Sequence, residues 1–538
     1  MFKLFVARRL QRPTVPSSSP NGLLRDYVLL MFCPDVVASI TEPAKVIMMV
    51  RNTPEYSQKL SGAYFTPDDV SRALVAWACH HASDRMLDPS CGDGQFIALH
   101  RNSVGIEQNP LSAQQAIERA PGALVHEGDF FTWACKTRER FECAAGNPPF
   151  IRYQTFKGEV RRSALAQCLA LGAQFSGLTS SWAPFLAATA GLLKPGGRMA
   201  FVVPAEIGHA PYAAPLLEYL VASFACVQVV AVRRKLFPDL SEDCWLLYTD
   251  GFGGRAESIG LTVMDAFDPS RSPPRPNVRI DLDEWRTVWN RRLRPYLLPA
   301  SVRALYADVL GHPQSHRFTD FASVGIGYVS GDNQFFHLRP SEARRLRIPK
   351  AFLQPSLRNG RAMPDRQITP ATVASWKQND DPMLLLRIAR DQEVPMAVRS
   401  YLDSSAGQQA RQGYKCRNRA PWYAVPDVQI PDFVMSYMSG RSVNLVRNSA
   451  GVTCTNSVHA VRVRDPALAA KLLPAWSSPF LRLSAELEGH ALGGGMLKLE
   501  PREAGRLLFP SAAMAARLPA DEVEAAIGTM QRWRHYAE

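Results

Sequence analysis

The chain has 538 residues, of which 46% are hydrophobic and 21% charged, enough for about two large domains and unlike the composition of disordered chains. No apolar run approaches the ~18 residues of a membrane-spanning helix. The ten cysteines are scattered without a C-x-x-C, which argues against a disulfide framework or a zinc knuckle and fits a reducing compartment.

Residues 1–54 read as an N-terminal extension. Thr66-Pro67-Asp68-Asp69 then predicts a helix running to about Ala82, with the Thr66 hydroxyl as N-cap, Pro67 at the first helical position and acids in the first turn. Short apolar runs follow, alternating with helical stretches: 85–88, 104–107, 123–126, 141–145, 198–203, 227–232 and 244–249. That alternation predicts an α/β domain with a mostly parallel sheet. The last two runs, joined by residues 233–243, are expected to form an antiparallel hairpin at one edge. The Pro/Ser/Arg stretch DPSRSPPRPN reads as a linker, giving a first domain over 55–267, a linker over 268–278 and a second domain over 279–538.

Charge divides along the same line. Residues 55–265 carry 18 Lys and Arg against 21 Asp and Glu, whereas residues 266–538 carry 37 against 25. A basic excess confined to the second half fits a region that grips a polyanion.

Chemistry concentrates at strand ends in the first half. Asp88-Pro89-Ser90-Cys91-Gly92-Asp93-Gly94-Gln95-Phe96 ends the first strand; its glycines let the backbone approach a ligand, and a helix start supplies amide donors. Glu107 ends the second strand, where an acid can accept from both hydroxyls of a ribose. Gly128-Asp129-Phe130 ends the third, placed to read an adenine edge. Gly146-Asn147-Pro148-Pro149-Phe150 ends the fourth. Its prolines stiffen the turn and leave carbonyls without a local amide, so the Asn147 oxygen and the Pro148 carbonyl can both accept from one exocyclic amine, with the Phe150 ring offered to a planar base.

In order and spacing these segments resemble the gamma-class (TaqI-like) N6-adenine DNA methyltransferases: Gly62–Pro67, DPSCGDGQF, Glu107, Asp129-Phe130, NPPF, then Phe185 ahead of Leu192–Gly197, and Leu236-Phe237-Pro238. The resemblance is close over about residues 60–250. It implies a Rossmann-like α/β sheet that binds S-adenosylmethionine, followed by a mixed α/β C-terminal target-recognition domain, acting on double-stranded DNA in the cytoplasm of a prokaryotic cell, with a companion restriction endonuclease and with neither membrane nor metal. Carried over by residue, Tyr64, Thr66, Asp88, Gly92 and Gly94 surround the amino-acid end of the cofactor and Glu107 holds its ribose. Asp129, Phe130 and Phe185 enclose its adenine. Asn147, Pro148, Pro149 and Phe150 hold a flipped-out target adenine, and Phe237 stacks on its opposite face. The family usually has Tyr where Phe150 stands, a change that keeps stacking and removes a hydroxyl.

In the second half, Trp285 with Trp289–Arg294, Arg345–Lys350 with Arg358 and Arg361, and Lys415–Arg419 beside Trp422-Tyr423 mix bases with aromatics in the manner of a nucleic-acid surface. Two competing readings share the N-P-P-aromatic turn on the same fold, an RNA methyltransferase and a protein-glutamine methyltransferase. A third is a catalytically inactive DNA-binding module. The long basic half after the sheet weighs against the protein-glutamine reading, and the intact Asn147 and Asp88 weigh against the inactive module.

Overall fold

The seven apolar runs become strands of one large sheet; apart from the edge run at 123–126, each is a stretch of consecutive, mostly buried residues, as strands covered on both faces are. The structure, a computed structural model, describes residues 66–152, 155–238, 240, 242–271, 273–492 and 494–536; Tyr64 and the extension over 1–54 lie outside the described residues. The sheet holds β1 (Met86–Asp88), β2 (Ser103–Glu107), β3 (Leu124–Glu127), β4 (Phe141–Gly146), β5 (Leu193–Pro204), β6 (Phe224–Val232), β7 (Cys244–Phe252), β8 (Ser258–Met264) and β9 (Val278–Asp281), in the order β3-β2-β1-β4-β5-β7-β6-β8-β9. Strands β1 to β5 are parallel to their neighbours, whereas β7 is antiparallel to both β5 and β6. Strand order reverses between β1 and β4, which opens a crevice at their carboxyl ends, the place where open α/β sheets take ligands.

The period of two along each strand sorts its side chains to two cores. Met199, Phe201 and Val203 of β5 enter one, with the α-helices Phe130–Lys136 (α3), Gly158–Ala170 (α4), Trp182–Ala190 (α5) and Ala213–Ser223 (α6). Ala200 and Val202 enter the other, with Val70, Leu74 and Val75 of the helix Asp68–Ala78 (α1) and Ala116 of the helix Pro110–Arg119 (α2). Helix α5 is apolar all round and buried throughout, as a helix between layers must be. Replacing the fully buried Phe201 by Ala would cost about 3–5 kcal/mol.

Three expectations need correction. Helix α1 starts at Asp68 with Pro67 as its cap residue and no side-chain capping bond; Thr66 is turned to a tertiary partner described below. The β6–β7 hairpin is interior, because β8 pairs parallel to β6 and β9 closes the edge antiparallel to β8. The stretch read as a linker is fastened to that edge. Gln228 donates to the Pro274 carbonyl at 2.6 Å, and Asn277 exchanges two 2.9 Å hydrogen bonds with the Val263 backbone.

The second half splits by what it packs against. Trp285, Trp289, Leu293, Tyr296 and Tyr306, and far downstream Phe480, Leu487, Val523, Ile527 and Met530, all join the first core of the large sheet. Between these stretches, residues 328–425 enclose a core of their own around Phe336, Leu385 and Val398. A five-stranded sheet that includes Ala322–Ile326, Phe433–Ser436 and Val458–Val463 lies beside it in the chain.

The Trp285–Arg294 cluster is therefore structural. Arg292 and Arg294 are buried. Arg292 donates to the Leu487 and Glu488 carbonyls and to the Glu488 carboxylate at 3.0, 2.9 and 3.1 Å, and Arg294 lies 3.5 Å from Glu486. Glu486 also takes a bidentate pair from the fully buried Arg534. The other two basic groups are placed differently: Arg345, Arg347, Lys350, Arg361, Lys415 and Arg417 are exposed, and Arg358 is half-buried.

Candidate active site

The glycine turn after β1 is built by its backbone. Gly92 and Gly94 have φ of 54° and 87°, left-handed values that favour glycine. At Gly94 a Cβ would also sit 2.8 Å from the Ala116 Cα, so α2 packs directly on the turn. Glu107, at the end of β2, accepts from the Gly92 amide at 3.0 Å and from the Asn109 amide at 2.7 Å. One carboxylate thus fixes the height of the glycine turn and the start of α2, which Asn109 caps through the Leu111 and Ser112 amides.

Asp88 and Asn147 flank the reversal point, at the ends of β1 and β4. Asp88 is buried and accepts from the Ser90 amide at 3.1 Å. Burial pushes its carboxyl up to about 8; the Ser90 amide opposes that shift and the nearby Glu107 charge adds to it. Gly146 is obligatory beside it, because a Cβ there would meet the Asp88 Oδ1 at 2.6 Å. Ser90 Oγ donates to the Asn147 carbonyl at 3.4 Å, and Asn147 Nδ2 donates to Thr66 Oγ1 at 3.2 Å. Thr66, Asp88, Ser90 and Asn147 therefore form one chain of contacts across the crevice, which is why the Thr66 hydroxyl is not the helix cap.

Two further residues, assigned no role from the sequence, complete this frame. Gln95 Nε2 donates to the Thr66 carbonyl, to Asp68 at 3.1 Å and to Ser71 at 3.3 Å, tying the glycine turn to α1. Ser181, fully buried ahead of α5, donates to the Pro149 carbonyl and accepts from the Ile151 amide at 3.0 Å, clamping the NPPF turn from below. The polar triplet Thr179-Ser180-Ser181 against an otherwise apolar helix is the signal that marks it.

The expected adenine wall is only partly assembled as expected. Asp129 caps α3, accepting from the Thr132 amide and hydroxyl, both at 2.8 Å and both through Oδ1. Phe130 and Phe185 stack on each other, with centroids 5.1 Å apart and planes 21° apart. A ring sandwiched between two others needs about 7 Å, so the stack leaves no room for a third ring between them. Phe150 is half-buried at the junction of the two cores, and Phe237 is buried in the second.

Comparison with known proteins adds to this geometry. The N-6 DNA Methylase family matches residues 47–116, through the glycine turn and Glu107, and the C-terminal domain of the type II methyltransferase M.Eco57I matches residues 290–536. The type II methyltransferase M.AccI of Acinetobacter calcoaceticus is 18% identical over 500 residues, covering 87% of this chain and 90% of that one. The type II methyltransferase M.XamI of Xanthomonas campestris pv. amaranthicola is 22% identical over 479 residues, covering 84% and 85%. The type II methyltransferase M.TthHB8I of Thermus thermophilus is 28% identical over 166 residues, covering 28% and 36%.

The sheet, its glycine turn and the acid after β2 thus define an S-adenosylmethionine-dependent methyltransferase, and the residues at the crevice suit that cofactor: a bare glycine backbone, a carboxylate at the end of β2 and aromatic edges. More particularly, the chain is a DNA adenine methyltransferase, similar over most of its length to type II methyltransferases.

Proposed function

We propose that the target adenine is flipped out of duplex DNA into the crevice between Asn147–Phe150 and Phe237, with the gamma-class division of labour among the residues around it. The observation that carries this reading is the pairing of Asn147 with Thr66 and Ser90 across the reversal point. It presents the NPPF turn and the cofactor's glycine turn to one space. When bound, S-adenosylmethionine supplies an electrophilic methyl group on a sulfonium. Glu107 holds the ribose hydroxyls, Phe130 and Phe185 border the adenine ring, and Asp88, Gly92 and Thr66 line the amino-acid end.

On the target side, Asn147 Oδ1 and the Pro148 carbonyl accept from the two N6 protons. Holding both protons in fixed directions turns the nitrogen lone pair out of ring conjugation and towards the methyl group. The reaction breaks the S–CH3 bond, forms N6–CH3 and releases one N6 proton. Positioning and fixed dipoles carry most of the rate, and no strongly basic side chain is required. Phe150 stacks on one face of the base and Phe237 on the other, offsetting the few kcal/mol of unstacking.

The DNA itself is assigned to residues 327–425, which carry 16 Lys and Arg against 8 Asp and Glu. Among the described residues the ion pairs fall on either side of this stretch, up to His316–Asp320 and again from Arg482–Glu524, and its exposed bases Arg345, Arg347, Lys350, Arg361 and Lys415 are assigned to phosphates. A companion endonuclease, blocked by the methyl mark, and a location at the chromosome inside a bacterial cell belong to the same reading, supported by the type II relatives. Among the described residues, no helix is long and apolar enough to cross a membrane.

The test is transfer of a tritiated methyl group to duplex DNA from a methylation-free host, followed by nucleoside analysis. The expected product is N6-methyladenine; methylcytosine, or label found only in RNA or protein, would overturn the reading. Asn147→Ala should lower kcat by roughly 10²–10³ while cofactor affinity stays near wild type.

A further inference from the structure

The loop between β6 and β7 carries Phe237, and two adjacent acids at its far end tie it in two directions. Glu242 accepts from Arg152 Nη2 at 2.9 Å, two residues beyond Phe150, so this tie runs to the NPPF turn. Asp243 Oδ1 lies 3.1 Å from His535 Nε2, so the second tie runs to the turn Trp533–Tyr536, some 290 residues downstream. The two contacts differ in kind. The Arg152 and Glu242 side chains are 70% and 36% exposed, whereas those of His535 and Asp243 are 16% and 19% exposed. The Asp243 carbonyl also accepts from the Ala205 amide at 2.7 Å, which pins this residue to the end of β5. Asp243 is thus the downstream root of the loop, held by the end of β5 through its backbone and by His535 through its side chain.

The turn that presents His535 has a built seat. Arg534 beside it is fully buried against Glu486 and donates to the Gly440 carbonyl at 2.6 Å. Trp533 packs edge-on against Trp245 of β7, with centroids 6.1 Å apart. Gly440 and Gly495 leave room for the turn: a Cβ on Gly440 would lie 3.0 Å from the Tyr536 ring, and one on Gly495 would lie 2.9 Å from both the His535 carbonyl and the Tyr536 Cα. His535 itself has φ of 56°, a left-handed backbone that a histidine keeps only where its surroundings hold it. Gly495 of the LGGGMLKLEP segment thus faces this turn, and the turn faces the loop that carries Phe237.

We propose that His535 is a positioning residue for methyl transfer. Through Asp243 it fixes the loop that carries Phe237, so that the recognition half sets the width of the slot between Phe237 and Phe150. The inference rests on the reading that these two rings hold the flipped base. His535 does not touch the base or the cofactor.

The experiment compares full-length wild type, His535→Ala, His535→Gln and Phe237→Ala. Gln places an amide donor near the position of Nε2. Each protein is measured for kcat, for S-adenosylmethionine affinity by calorimetry, and for the fluorescence rise of 2-aminopurine at the target position of duplex DNA, with circular dichroism to confirm folding. His535→Ala is expected to lose roughly tenfold in kcat, the size of effect that a displaced positioning group gives, and most of the fluorescence rise, with cofactor affinity unchanged. His535→Gln should recover most of both. Wild-type kinetics in His535→Ala, no recovery in His535→Gln, or a loss of cofactor affinity parallel to the loss of kcat would each overturn the proposal. Phe237→Ala separates the two levels. If it is impaired while His535→Ala is not, the coupling alone fails; if Phe237→Ala matches wild type, the pocket reading fails and takes the coupling with it.

Discussion

Two groups of arginines in the same half of the chain have similar sequence surroundings and opposite uses. Arg292, Arg294 and Arg534 are buried and matched to Glu486 and Glu488, the first two joining segments nearly 200 residues apart. Arg345, Arg347, Lys350 and Arg417 are exposed in the 327–425 lobe. A buried charge must be paired, since several kcal/mol of lost hydration has to be offset by a close partner. An exposed charge keeps its water and can give up counterions to a phosphate. Net charge therefore states how many bases there are, and burial decides which of them can meet DNA.

The strongest way to break this distinction is truncation. A fragment of residues 1–267 lacks β9 and every downstream residue that covers the first core, among them Trp285, Tyr296, Phe480 and Met530. It is expected to be unfolded or aggregated, with no cofactor binding, by circular dichroism and calorimetry. A soluble fragment that binds cofactor would show that the second half is not part of the catalytic fold. Next in size is Arg534→Ala. It leaves Glu486 buried with one strong partner fewer, and denaturant unfolding should show a loss of about 3–5 kcal/mol.

Asp88 sharpens the comparison from the acidic side. It is a buried carboxyl shifted upward by burial, to about 8. An unfolded Asp releases its proton near 3.9. Between about pH 4 and 8 the folded chain thus binds the extra proton, and the contribution of this group to stability falls as pH rises through that window. Asp88→Asn removes the penalty. Its thermal midpoint relative to wild type should be higher at pH 8 than at pH 5, while cofactor affinity falls. The smallest effect on stability is expected from Arg345→Ala/Arg347→Ala/Lys350→Ala. The thermal midpoint should stay at the wild-type value, and the slope of log affinity for DNA against log salt should shrink by about 0.9 for each phosphate that is no longer neutralised.

Much of the catalytic sheet was legible because most of its strands are runs of consecutive buried residues that need no partner to be noticed. Strands β8 and β9 were not. Ser258–Met264 is interrupted by Gly260, and Val278–Asp281 has four residues behind a proline-rich stretch. What makes them strands is the exposed side of β6, a tertiary fact. Thr66 shows the same limit: a hydroxyl before proline is a good local cap, yet Asn147, 81 residues on, competes for it successfully. The stretch WNRRLR looks like a DNA-facing patch until Glu486 and Glu488 come into view. The motif residues of the crevice could be named in advance because Asp88, Glu107, Asp129 and Asn147 lie within two positions of a strand end; Ser181, which braces them from another element, has no such landmark.

The first core also has a bearing on how the molecule comes into being. Trp285 and Tyr296 are fully or almost fully buried partly by residues around Val523–Met530, which are translated more than two hundred residues later. At 5–20 residues per second, a growing chain would wait on the order of ten seconds or more with those aromatic surfaces uncovered. During that time the nascent catalytic half is a client for chaperones and cannot yet mark DNA.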